Sequence, residues 1–218
     1  MTWTNNKTLL EYSKYTPCKD IFQAVCDEIG KYYTKRGHKY FPCCPKVVIE
    51  NPHLKLEICF WSSKSNIPGE YVNLEIIPNF YSKQLKNKSN IKGFLFGYTE
   101  LLYKKYTDDV TKIRINTIFG ETIERTDEYS YESKIIDINN CNIYGLDEVK
   151  FNKIIHFIDS KIIIWFNKIQ DKNGIIELLE NAGQTRLNSL NGKKLNSDFI
   201  KYVKLNFPEI NIERMTEQ

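Results

Sequence analysis

Apolar residues recur at helical spacing near each end of the chain and alternate with polar ones in between. Over residues 17–36, Cys18, Ile21, Phe22, Val25, Ile29, Tyr32 and Tyr33 return every three or four positions, which gives a helix one apolar face. Thr16 is placed to cap that helix, Pro17 suits its first turn, and Gly37 follows as a left-handed C-cap. The period then falls to two. A short β-branched run over 46–50 meets the turn residues Asn51-Pro52, after which Leu54, Leu56, Ile58 and Phe60 alternate with Lys55, Glu57, Cys59 and Trp61. Beyond a loop bearing Pro68-Gly69, Val72, Leu74 and Ile76 alternate with Tyr71, Asn73, Glu75 and Ile77 over 70–77. Such alternation predicts half-buried antiparallel strands, with Pro78 ending the second or confining it to an edge. The first helix is expected on the Leu54-to-Ile76 apolar face.

Residues 79–92 are rich in Asn and Lys and read as an exposed excursion. Residues 93–106 fit either helix or strand, and 112–118, 122–125 and 131–138 read as further strands. Asp147 then caps a long helix over 147–169, with Leu146 and Phe151 as a hydrophobic staple. Its stripe comprises Phe151, Ile154, Ile155, Ile158, Ile162, Trp165, Phe166 and Ile169, too wide to be left in water. Asn173-Gly174 is read as its stop, followed by a short helix over 175–182 ended by Gly183, a turn at Asn191-Gly192, and a last helix from near Ser197. The fold class is α+β: a single domain in which 1–145 supply a helix and a mostly antiparallel sheet, and a helical 146–218 packs back on it.

Composition narrows the function classes. The 218 residues are 27% charged and 41% hydrophobic, an ordinary globular balance. The formal charge is +4 and only five of the basic residues are arginines, which weakens a nucleic-acid reading because arginine supplies planar, bidentate recognition. The start of the chain lacks the basic-then-apolar order of a secretory signal, and no apolar run approaches the roughly 20 residues of a membrane span. A soluble cytoplasmic protein without membrane contact is expected. In that compartment the six cysteines are free thiols, with Cys43 and Cys44 the most accessible and Cys18 and Cys59 partly buried.

Candidate chemistry is sparse. His38, Cys43, Cys44, His53 and Cys59 are metal-compatible types without the close pairs of a structural zinc site, so no metal is expected. No phosphate-cradling glycine loop appears, so no cofactor is expected either. Ser62, Ser63 and Ser65 lack a nucleophile elbow, and His156 lies off its helix's apolar stripe. Glu132-Ser133-Lys134, after Asp108, Asp109 and Asp127, matches the way restriction-type nucleases hold Mg²⁺, which makes a metal-dependent nuclease using Asp109, Glu132 and Lys134 the alternative function. The same tripeptide pattern recurs at Glu148-Val149-Lys150, and solvated charge is the stronger reading. Simple nucleic-acid binding through 79–92 is weaker still. On the polar sheet face, Trp61, Tyr71 and Ile77 accompany Glu57, Asn73 and Glu75. Aromatics among polar neighbours suit a protein-contact patch, unless the C-terminal helices cover that face and make it core. The leading expectation is a non-enzymatic protein that docks on a partner protein.

Residues 22–33, then Gly37-His38-Lys39-Tyr40 and paired strands, resemble an uncharacterised bacterial domain family that opens with a helix and a basic turn before an antiparallel sheet. Ile164-Trp165-Phe166-Asn167-Lys168-Ile169 with 175–179 is similar to that family's C-terminal helix pair. The likeness spans 19–179, with His38 where an aromatic is typical. It shares no catalytic motif and implies a role in toxin immunity or phage defence.

Overall fold

Two helices open the chain in the computed structural model, which describes residues 3–85, 93–97, 103–126, 133–182 and 197–212 (backbone alone at 103–105 and 180–182). They are α1 (Lys7–Glu11) and α2 (Cys18–Thr34). The stripe of α2 is buried at Ile21, Val25, Ile29 and Tyr33. Thr16 does not cap it: its hydroxyl accepts instead from the Ser13 N–H at 2.9 Å, and Pro17 takes the cap position without a side-chain bond. At the other end Gly37 has φ +86°, and the N–H groups of Gly37 and His38 return to the carbonyls of Thr34 and Tyr33, a Schellman ending.

The main sheet follows in the order β1 (Lys39–Phe41), β2 (Lys46–Glu50), β3 (Leu54–Trp61), β4 (Asn73–Ser82) and β10 (Asn140–Asn142), all antiparallel, with β5 (Phe94–Phe96) also on β4. Of the two expectations for Pro78, it does not end β4 but sits at a locally open edge of it, and 79–82 belong to this strand rather than to an excursion. The Ile76 N–H bonds the Asn139 carbonyl on the β10 side, so by alternation Pro78's missing donor also faces away from β3. There β10 has ended at Asn140, opposite Glu75, and β5 pairs only from Phe80 onward. The imide occupies the gap and costs no ladder bond.

A second sheet runs in the order β6 (Tyr103–Lys105), β9 (Lys134–Asp137), β7 (Lys112–Asn116), β8 (Thr122–Thr126), with β7 and β9 parallel and the other pairs antiparallel. The ambiguous 93–106 stretch therefore contributes two strands. Only Ile138 and Asn139 separate β9 in one sheet from β10 in the other.

The C-terminal helices are α3 (Glu148–Phe157), a π-helical segment (Ile158–Ile163), α4 (Ile164–Lys168), α5 (Lys172–Ala182) and α6 (Ser197–Asn206). Asp147 caps α3 by accepting from the Lys150 N–H at 2.8 Å, and the staple residues Leu146 and Phe151 are buried. Asn173-Gly174 is not a stop: both residues lie in the first turn of α5. Gly183 and Asn191-Gly192 lie outside the described residues.

One contiguous core joins the α2 stripe, the even-numbered positions of β3 and β4, and Phe151 through Ile169. The early and late helices thus share one side of the main sheet. Tyr33 Oη on α2 and Arg36 in the turn after it both bond the Asp159 carboxylate of the π segment at 2.9 Å, and the Phe96 and Phe199 rings meet edge to face at 5.9 Å. This is an α+β fold, and none of its described helices is long and apolar enough to cross a membrane.

Candidate functional site

With the helices gathered on one side, the odd-numbered side chains of β3 and β4 face outward. Strand register sets them in rows: Lys39, Val48, Glu57 and Asn79; Phe41, Lys46, Cys59 and Ile77; Trp61, Glu75 and Asn140. Trp61 is 50% exposed and Phe41 45%, while Cys59, Glu75 and Ile77 are half-buried by their neighbours. Cys59 and Ile77 therefore form an apolar pair next to Trp61, and Phe41 lies beyond Lys46, whose ammonium sits over its ring at 5.7 Å. Phe41 has no alternation to mark it in the sequence; only its pairing opposite Lys46 puts it on this face.

The predicted binding residues take unequal roles. Glu57 is tied by Lys55 at 2.8 Å and Lys46 at 3.2 Å. Burial pushes its carboxyl up, but the two lysine hydrogen bonds outweigh that and hold it below its ordinary value. Asn73 is buried and structural: its N–H bonds Asn66 Oδ1, its carbonyl accepts from Ser62 Oγ, and its Oδ1 accepts from Tyr71 Oη at 3.0 Å. Tyr71 precedes β4, in a bridge to Ile67, and stands half-exposed at the margin. Trp61, Ile77 and Glu75 remain as the outward-facing centre.

Of the nuclease residues only Asp109 and Lys134 are described, and Ser133, which precedes Lys134, donates its hydroxyl to the Val110 carbonyl at 3.2 Å beside Asp109. Asp109 is exposed in the loop before β7, Lys134 opens β9, and Asp127 and Glu132 lie outside the described residues. Of the 79–92 stretch, 86–92 also lie outside them. Cys43 and Cys44 are exposed in the β1–β2 turn, whereas His53 sits in the turn at the far end of β2, and no group of three or more His, Cys, Asp or Glu among the described residues is arranged to hold a metal. All six cysteines are free; Cys26 and Cys141 are buried, Cys18 and Cys59 partly so.

A second concavity, of about 420 Å³, was not legible in the sequence. One wall is the β7–β8 turn, Asn116 to Thr122, with Asp137 at the end of β9; the other is the α3–π face bearing Lys153, His156, Ser160 and Lys161. Two lysines bridge the walls: Lys153 Nζ donates to the Phe119 carbonyl and Lys161 Nζ to Asp137 Oδ2, each at 2.6 Å. Asn116 Nδ2 donates to the other Asp137 oxygen at 2.7 Å.

No protein-family model, curated protein or solved structure matches this chain.

Proposed function

We propose that this chain is a non-enzymatic binding protein that docks on a partner protein through the open face of its main sheet. The observation carrying this reading is Trp61, half-exposed and diagonal to Ile77 on a face that no described helix covers. An exposed aromatic set among polar neighbours suits a contact site, and tryptophan is among the residues enriched at their energetic centres. Glu75 stands opposite Trp61, and Lys46, Lys55 and Glu57 add charged neighbours on the same face. A half-exposed tryptophan has about 100 Å² left to bury, worth roughly 2.5 kcal/mol in a dry interface. An inhibitor or immunity protein works by occupying its target, which takes a docking face and no catalytic group. The likeness to a bacterial helix–sheet–helix family adds the toxin-immunity or phage-defence setting.

The test is capture of a discrete partner by wild type and by Trp61→Ala/Tyr71→Ala, with Val149→Ala, a 64% exposed apolar position on α3, as control. Binding should weaken about 50-fold in the double variant and hold in the control, with all three proteins melting alike. Equal capture by all three removes the reading. Unfolding of the double variant would show that these side chains serve the fold instead.

A further inference from the structure

We propose that the cleft between the β7–β8 turn and the π segment is a binding site for a phosphorylated sugar, separate from the docking face. Its two ends offer different chemistry. Near Phe119, Lys153 spends one of its three N–H donors on the Phe119 carbonyl, and the exposed His156 ring, one helical turn further on, makes no hydrogen bond among the described residues. Two adjacent cationic or donor groups without a carboxylate partner are what an anionic oxygen cluster needs. Among the described residues at this end the carboxylate is Glu121, which stands on the opposite wall and turns an anion toward the helix.

At the other end the donors and acceptors are mixed. Asp137 accepts from Asn116 and Lys161 and keeps further lone pairs, Asn116 Oδ1 accepts from Thr122 Oγ1 at 2.9 Å, and Ser160 Oγ donates to the His156 carbonyl at 2.6 Å, leaving its own lone pairs free. A buried carboxylate flanked by an amide, an ammonium and hydroxyls suits ligand hydroxyl groups, each of which both donates and accepts. Buried Ile118 and Phe157 and half-buried Phe119 give the cleft an apolar floor and side for a sugar's C–H faces. The volume lies at the small end of ligand pockets, and Lys153 and Lys161 are separated by roughly 12 Å along the helix, about the length of a phosphorylated monosaccharide. The π segment is an independent mark of the site. Such segments are rare, concentrate where helices serve function, and here one carries both Ser160 and Lys161.

The experiment is amide-shift titration of the full chain with ribose 5-phosphate, adenosine 5′-monophosphate, inorganic phosphate and ribose. Saturable shifts should gather in 117–122 and 153–161 with either phosphorylated sugar; the tighter of the two shows whether the sugar phosphate is recognised free or within a nucleotide. Phosphate or ribose alone should bind at least about tenfold more weakly, each lacking one end's hydrogen bonds. Lys153→Gln/His156→Gln changes two exposed side chains, leaves the Lys161–Asp137 bridge intact, and should weaken the phosphorylated sugars by about tenfold or more at unchanged melting temperature. No saturable shift, shifts elsewhere, equal binding of inorganic phosphate, or affinity untouched in the double variant would each overturn the proposal.

Discussion

Glu50 has its charge held by two lysines. Lys39 and Lys83 each reach its carboxylate at 2.6 Å, and their hydrogen bonds bring its pKa down from 4.5 to about 2. A depressed carboxylate contributes stability that is complete above its unfolded pKa and disappears as pH falls through the folded one. Wild type should therefore exceed Glu50→Gln in stability by a constant amount above about pH 4.5, and the difference should shrink to nothing as pH approaches about 2. Paired urea titrations across that range measure it. Because the site is solvent-exposed, added salt should reduce the whole difference. At this scale the sequence was a fair guide: the exposure of Cys43 and Cys44 and the burial of Cys18's helix face follow from position alone. Cys59 is the instructive exception. Its partial burial comes from sheet neighbours, including Asn79 Nδ2 at 3.8 Å, and not from a covering helix.

Among the elements, those with strong periodicity and a cap were readable, because local chemistry determines them. The α2 stripe, the Asp147 cap and the alternation of β3 belong here. What was not readable depends on partners distant in the chain: the persistence of β4 through Pro78 needs the gap between β10 and β5, and the π segment is bonded by Tyr33 of α2, Arg36 of the turn after it and Asp137 of β9. Gly174 shows the same dependence. Read as a stop, it is a close-packing position, since a Cβ there would lie 2.0 Å from the Lys168 carbonyl oxygen. That neighbour is backbone and cannot swing aside. Gly174→Ala should cost about 3 kcal/mol, the upper range for overpacking, seen as a lower urea midpoint at unchanged slope. A variant as stable as wild type would mean that α4 and α5 separate freely.

For the molecule as a whole, the shared core predicts one cooperative unit. Ile154, Ile158, Ile162 and Ile169 are fully buried in the same cluster as Leu56, Ile58, Leu74 and Ile76. Limited proteolysis should release no stable fragment beginning near Leu146, and a persistent one would divide the chain in two. The candidate sites differ in legibility for a related reason. Trp61 and Ile77 announce themselves by alternation within single strands. The cleft gathers Asn116, Asp137 and Lys161 from two strands and a helix, so no spacing could have revealed it.

The join between the two sheets carries a mechanical consequence. Asn139 exchanges two bonds with Ile76, through its carbonyl at 2.8 Å and its side-chain amide at 2.9 Å, while the Ile138 N–H bonds the Asn116 carbonyl at 3.0 Å. Each of the two linking residues is thus fastened to a different sheet, so a hinge there would have to break one of these hydrogen bonds. From Asp137 in the cleft to Asn140 beside Glu75 and Trp61, the chain is a taut tether of roughly 10 Å. Tilting one sheet against the other would strain the bonds that hold this short link.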